Sequence, residues 1–132
     1  VSRNPNEEIV QALKQRIRHV PDFPKPGILF YDVTTLMKDA TGFQLAVEAM
    51  VAPHAASSVE LVVGIESRGF IFGSAVADRL RTGFAPVRKL GKLPSKTRKT
   101  EYSLEYGTDS LEIHEDAVTK GQRVLVVDDL LA

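Results

Sequence analysis

The sequence predicts an α/β fold, a mainly parallel sheet flanked by helices. Three observations carry that expectation. Leu61-Val62-Val63-Gly64-Ile65 is apolar on both faces, as a buried strand requires, and leads through a polar turn into a helical run from Phe70 to about Leu80. A second apolar run, Val124-Leu125-Val126-Val127, ends in Asp128-Asp129. Around these runs, segments of helical period alternate with short β-type stretches.

Each further element follows from local chemistry. Glu7 to Arg18 carries Ile9, Val10, Leu13 and Ile17 at helical spacing, with acids in the first turn and cations in the last, which suits the helix dipole. Pro21, Pro24 and Pro26, followed by Gly27, predict a turn-rich connector, because each proline fixes φ and removes a donor. Ile28 to Tyr31 reads as a short extended run. A second helix begins near Asp39 or Thr41, lines one face with Phe43, Val47, Met50 and Val51, and ends at Pro53. Beyond the 70–80 helix, Phe84 to Val87 reads as a strand, Tyr102 to Leu104 and Leu111 to Ile113 as shorter ones, and Gly121 as the turn into the last strand. The length, with no repeat or linker-like stretch, predicts a single domain over 1–132.

Composition bounds the function classes. There are 17 basic and 17 acidic residues and no cysteine, so disulfides and thiolate metal sites are excluded. No run of about 18 apolar residues marks a membrane span, and no basic, apolar, small-residue start marks a secretory signal, so a cytoplasmic protein without a membrane role is expected. The zero net charge hides a cluster: Arg88, Lys89, Lys92, Lys96, Arg98 and Lys99 fall in a stretch without an acid. Such a cluster can hold phosphates, and Gly91 and Pro94 give it the composition of a mobile loop; the ordinary alternative is a solvated surface loop. Nucleic acid is an unlikely partner, since only Tyr102 and Tyr106 lie nearby to stack on bases. His19 and His114 lack partners at metal-ligand spacing.

In an open α/β sheet, ligands lie beyond the carboxyl ends of the strands. At Glu66-Ser67-Arg68-Gly69, a tight strand-to-helix turn would aim backbone N–H groups and one guanidinium at an anion, with Gly69 allowing close backbone approach. The plainer reading is a turn in which Ser67 caps the helix and Arg68 pairs with an acid. At Asp128-Asp129, paired carboxylates can accept hydrogen bonds from ribose hydroxyls or hold Mg²⁺ through water; the plainer reading is a solvated strand end. A proton-sharing dyad is disfavoured, because consecutive residues on an extended strand point to opposite faces.

Taken together, these motifs resemble the adenine phosphoribosyltransferase family. Val124 to Ala132 is similar to its phosphoribosyl-pyrophosphate motif, Gly64-Ile65-Glu66-Ser67-Arg68-Gly69-Phe70 to its pyrophosphate loop, and Arg88-Lys89-Leu90-Gly91-Lys92-Leu93-Pro94 to the root of its mobile hood. Tyr102-Ser103-Leu104-Glu105-Tyr106-Gly107 resembles the closing segment, and Pro21 to Phe30 the adenine-pocket segment. The resemblance runs from about Ile9 to Ala132 and implies a type I phosphoribosyltransferase-like fold with a mobile hood over 90–107. The family continues past this motif into a threonine- and glycine-rich phosphate loop, so a C-terminally incomplete domain is expected, impaired or inactive if the polypeptide ends at Ala132. Tyr31 stands where some relatives carry arginine.

The implied reaction transfers the phosphoribosyl group of 5-phosphoribosyl 1-pyrophosphate to adenine, giving AMP and pyrophosphate in purine salvage, with Mg²⁺ held by the substrate diphosphate rather than a protein cage. The resemblance implies catalytic roles for Glu105, Tyr106 and Arg68 and adenine binding by Leu29, Phe30 and Tyr31. It implies phosphoribosyl-diphosphate binding by Ser67, Arg68, Arg88, Lys89, Lys92, Asp128, Asp129 and Ala132, and a homodimer. The alternative is a truncated, non-catalytic module that binds a nucleotide or the phosphoribosyl diphosphate.

Overall fold

The computed structural model describes residues 4–104 and 107–131. The chain falls into two compact units, 1–52 and 53–132. Among the described residues, no helix is long and apolar enough to cross a membrane.

In the first unit, helix α1 (Pro5–Lys14) starts where the Asn4 carboxamide accepts from the Asn6 amide at 3.0 Å, with proline in the first turn, where its missing N–H costs nothing. It stops short of the expected Arg18 because the Arg16 guanidinium turns back to the Ala12 carbonyl (2.8 Å) and pairs with Asp39 (2.7 Å). Strand β1 (Arg18–Pro21), which the proline pattern concealed, pairs antiparallel with β2 (Leu29–Asp32). Pro21 is tolerated at a strand end. The connector between them is ordered: the Asp22 carboxylate accepts from the Gly27 amide at 2.8 Å, and Asp22 and Gly27 both take positive φ. A five-residue helix α2 (Thr34–Lys38), too short to show a period, precedes α3 (Ala40–Val51). Asp39 caps α3, accepting from the Gly42 amide at 2.7 Å, so this helix begins where expected. Leu36, Ala46 and Val47 form the buried centre of the unit.

The second unit is a five-stranded mixed sheet in the order β5-β6-β4-β3-β7. Its parallel part joins β3 (Leu61–Ile65) to β4 (Gly83–Lys89) on one side and to β7 (Val124–Val127) on the other. An antiparallel hairpin of β5 (Thr97–Ser103) and β6 (Thr108–His114) extends it beyond β4. The expected basic loop is therefore strand at both ends: Arg88 and Lys89 close β4, Thr97 to Lys99 open β5, and Thr97 to Ser103 pairs with β6 along its whole length. Its weak periodicity reflects a strand exposed at nearly every position, where no apolar face is needed.

Helix α4 (Arg68–Leu80) packs on the parallel strands and buries Phe72, Val76 and Ala77 beside Val62. Each fully buried side chain of this kind contributes roughly 1.5–3 kcal/mol. Two glycines set how close this helix comes. A Cβ at Gly69 would lie 2.8 Å from the Val127 carbonyl oxygen, and one at Gly64 would lie 2.6 Å from the Phe84 ring and 2.7 Å from the Gly69 carbonyl. The expected purpose of Gly69, close approach to a ligand, is thus accompanied by another: it lets the start of α4 rest on the end of β7.

Candidate functional site

Because β7, β3 and β4 run parallel, their carboxyl ends share one edge of the sheet, and the expected anion- and sugar-binding residues of the second unit gather there. The register Ile65↔Val87 places the next residues, Glu66 and Arg88, side by side, and the Glu66 amide continues the ladder to the Val87 carbonyl at 2.9 Å. On this flank the Arg88 Nε donates to the Glu66 carboxylate at 2.9 Å, and the Lys89 amide donates to the same oxygen at 3.3 Å. On the other flank the Arg68 Nε donates to the Asp129 carboxylate at 2.5 Å. Arg68 and Arg88, both expected at the diphosphate, thus each hold a carboxylate of this chain.

Electrostatics separates the carboxylates. Arg88, aided by the Lys89 amide and by the charge of Lys92, holds Glu66 below the usual glutamate range against a smaller cost of burial. Burial pushes Asp129 up, but the Arg68 bond and its contact with Asp128 outweigh this and leave it lowered. Asp128 is raised, first by burial and then by the neighbouring carboxylate, although it accepts the Asp129 amide at 2.8 Å. The two aspartates do interact, contrary to the opposite-face expectation, because β7 ends at Val127 and Asp129 lies in a bend. Asp128 therefore retains its proton to higher pH while Asp129 stays charged.

Ser67 occupies the N-cap of α4 but makes no capping bond through its side chain, and the Glu66–Ser67 peptide is cis. Lys92 lies in the turn after β4, where its amide donates to the Lys89 carbonyl at 3.3 Å. That turn is tied to β6. Glu112, 8% exposed, accepts from the Gly91 amide and the Thr97 hydroxyl, both at 3.2 Å, and the His114 Nε2 accepts from the Ser95 amide at 3.3 Å. Glu105, Tyr106 and Ala132 lie outside the described residues.

The first unit holds a separate, apolar cavity of about 330 Å³ lined by Arg18, Val20, Phe23, Phe30, Asp32 and Thr34. Alternation along β2 turns Phe30 toward it and leaves Leu29 and Tyr31 exposed. Phe30 meets Phe23 edge to face at 5.1 Å. At the rim, the Thr34 side chain and then Arg18 hold the Asp32 carboxyl down at about 2. A larger concavity of about 820 Å³ against α1 is lined by Glu7, Glu8, Gln11, Ala12 and Gln15, none of them an expected site residue.

Glu66 and Glu112 had no role in the sequence reading. The acid at 66 became legible only once β3 and β4 were aligned in register, and no local signal distinguishes Glu112 from any strand carboxylate. Among the described residues, no three His, Cys, Asp or Glu side chains gather as metal ligands. The donors at the sheet edge are hard oxygens, one or two carboxylates, which suit Mg²⁺ completed by phosphate oxygens and water.

Comparison with known proteins narrows the reading. A model of the phosphoribosyl transferase domain matches residues 43–132. The adenine phosphoribosyltransferase of Acidobacterium capsulatum is 58% identical over 122 residues, covering 92% of this chain and 67% of that protein. The crystal structure of the adenine phosphoribosyltransferase of Thermoanaerobacter pseudethanolicus superposes with a TM-score of 0.88 at 53% identity, covering 93% of this chain and 72% of that one. The Saccharomyces cerevisiae enzyme, solved with adenine and an imino-altritol bisphosphate, gives 0.87 at 38% identity over the same shares.

Proposed function

This chain belongs to the phosphoribosyl transferase family, among the adenine phosphoribosyltransferases, and we propose from that premise how its residues serve the reaction. The reaction is purine salvage: adenine and 5-phosphoribosyl 1-pyrophosphate give AMP and pyrophosphate. The observation that carries the assignment to this sheet edge is that two aspartates, the guanidinium groups of Arg68 and Arg88 and the Lys89 amide converge on the ends of the parallel strands.

As the bond from the anomeric carbon to pyrophosphate breaks, positive charge grows on the ribose ring and negative charge on the departing oxygens. Fixed charges placed for both are worth more than mobile water, because they need no reorganisation as the reaction proceeds. Asp128 and Asp129 take the ribose; they follow the end of β7, on which the start of α4 packs closely at Val127. Arg68, Ser67, Arg88, Lys89 and Lys92 take the diphosphate, with Ala132 in the same phosphoribosyl motif. Mg²⁺, when bound, neutralises charge on the diphosphate.

Phe30 stacks on adenine in the cavity of the first unit, with main-chain groups of Leu29 and Tyr31 reading the exocyclic amine. Glu105 manages the purine proton and Tyr106 closes the site, as the hood over 90–107 excludes the water that would otherwise attack the ribosyl cation. The chain is read as a phosphoribosyltransferase domain over 1–132 that acts in the cytoplasm as a homodimer. The test follows labelled adenine into AMP with release of pyrophosphate, with hypoxanthine as the control base. Dependence on adenine and 5-phosphoribosyl 1-pyrophosphate is expected, and saturable binding without pyrophosphate release would overturn the reading.

A further inference from the structure

The Arg88 flank has the geometry of an occupied anion site. A guanidinium Nε–H at 2.9 Å and a main-chain amide at 3.3 Å converge on one oxygen, with the Lys92 charge acting on the same group. The occupant is Glu66, whose side chain is 16% exposed. Its carboxylate presents to Arg88 what a diphosphate oxygen would present: a charged acceptor for a charge-assisted hydrogen bond. Both cannot take the same Nε–H at full strength, so ligand and carboxylate compete for it.

We infer that Glu66 is an internal competitor of the diphosphate, holding Arg88 in place while the site is empty and reclaiming it as pyrophosphate leaves. This rests on reading Arg88 as a diphosphate ligand. Two consequences follow. The guanidinium is already ordered, so less side-chain entropy is lost when substrate binds. Apparent affinity is lowered by the fraction of molecules in which Arg88 is paired internally, so both the substrate and its product are held less tightly and the product departs faster. The intramolecular acid is always present at high effective concentration, so release needs no external anion.

Through-space repulsion would also make Glu66→Gln bind anions better, and a double-mutant cycle separates the two causes. Calorimetric titration of the full chain with Mg²⁺-pyrophosphate compares wild type, Glu66→Gln, Arg88→Gln and the double variant. Competition predicts that Glu66→Gln binds about fivefold more tightly, the factor expected for a partly exposed ion pair, and that the gain disappears in the Arg88→Gln background. Weaker binding by Glu66→Gln, or an equal gain in both backgrounds, overturns the inference while leaving the diphosphate assignment standing. If Arg88→Gln alone costs no affinity, that assignment fails and the inference fails with it. Should Glu66→Gln not fold, the ¹⁵N resonance of the Arg88 Nε in the unmutated protein, identified by its loss in Arg88→Lys, decides the matter. It is expected to shift when Mg²⁺-pyrophosphate saturates the site, and an unmoved resonance overturns the competition.

Discussion

The two flanks of β3 use the same bond to opposite effect. Beside β7, two carboxylates share one guanidinium, and the local charge is negative. Beside β4, one carboxylate faces Arg88, the Lys89 amide and the charge of Lys92, and the local charge is positive. The difference lies in what backs each pair. The aspartates sit on a strand end pressed against α4, where burial raises both carboxyls and the Arg68 bond, made to Asp129, pulls their titrations apart. The β4 cations sit at the root of a turn held by Glu112, by His114 and by the Glu115 amide, which donates to the Lys96 carbonyl at 2.9 Å. An anionic pole packed against α4 stands beside a cationic pole at the root of a turn, the two signs of charge that a ribosyl cation and a departing diphosphate call for.

The most damaging way to break this polarity is at its common support. Gly69→Ala sets a methyl 2.8 Å from the Val127 carbonyl, so α4 and β7 must separate. Denaturant melts are expected to show a loss of about 1–3 kcal/mol. AMP formation should fall on the order of 100-fold as both poles shift. Asp129→Asn removes the charge that Arg68 answers on the anionic side; the KM for 5-phosphoribosyl 1-pyrophosphate should rise about tenfold in steady-state kinetics. Arg88→Gln acts on the cationic side alone. It should weaken Mg²⁺-pyrophosphate by about tenfold, with stability changed by less than about 1 kcal/mol. Equal stability losses from the Asp129 and Arg88 variants would argue against the closer packing of the anionic flank.

The smallest effect is a pH dependence confined to the anionic side. Asp128 has a folded pKa above the ordinary 3.8, so its contribution to stability is fully present below that value and is lost as pH rises through the folded one. Asp129 is depressed, so its contribution is present above 3.8 and lost as pH falls through its folded value. Asp128→Asn is expected to remove the first loss and keep the second, seen as Tm against pH between about 3 and 7. A variant whose profile matches wild type would show that Asp128 is not raised in the folded state.

Much of this was legible beforehand. The β3 strand was legible as an apolar run that is buried along nearly its whole length, α4 by its helical period, and the strand ending at Asp128 by an apolar run, although β7 lies at the edge of the sheet and leaves Val126 61% exposed; Asp39 announced the start of α3. Strand β1 and helix α2 were missed for opposite reasons: prolines masked one, and the other is shorter than a readable period. Of strand β5 only the end was read, as Tyr102 to Leu104, and its start at Thr97 was taken for loop because its exposed positions carry no alternation. At the site, the cations and aspartates were found by residue type, but their partners were not, since Arg68–Asp129 and Arg88–Glu66 join residues 61 and 22 positions apart.

The sequence by itself determined where the apolar strands and the α4 helix run, where the parallel strands end and which polar groups stand at those ends, because apolar runs and period are local properties of the chain. Only the tertiary structure decided which carboxylate each arginine holds and which aspartate keeps its proton. Both depend on strand register and on the depth to which packing removes a carboxyl from water, quantities set by the assembled sheet and not by any single stretch of residues.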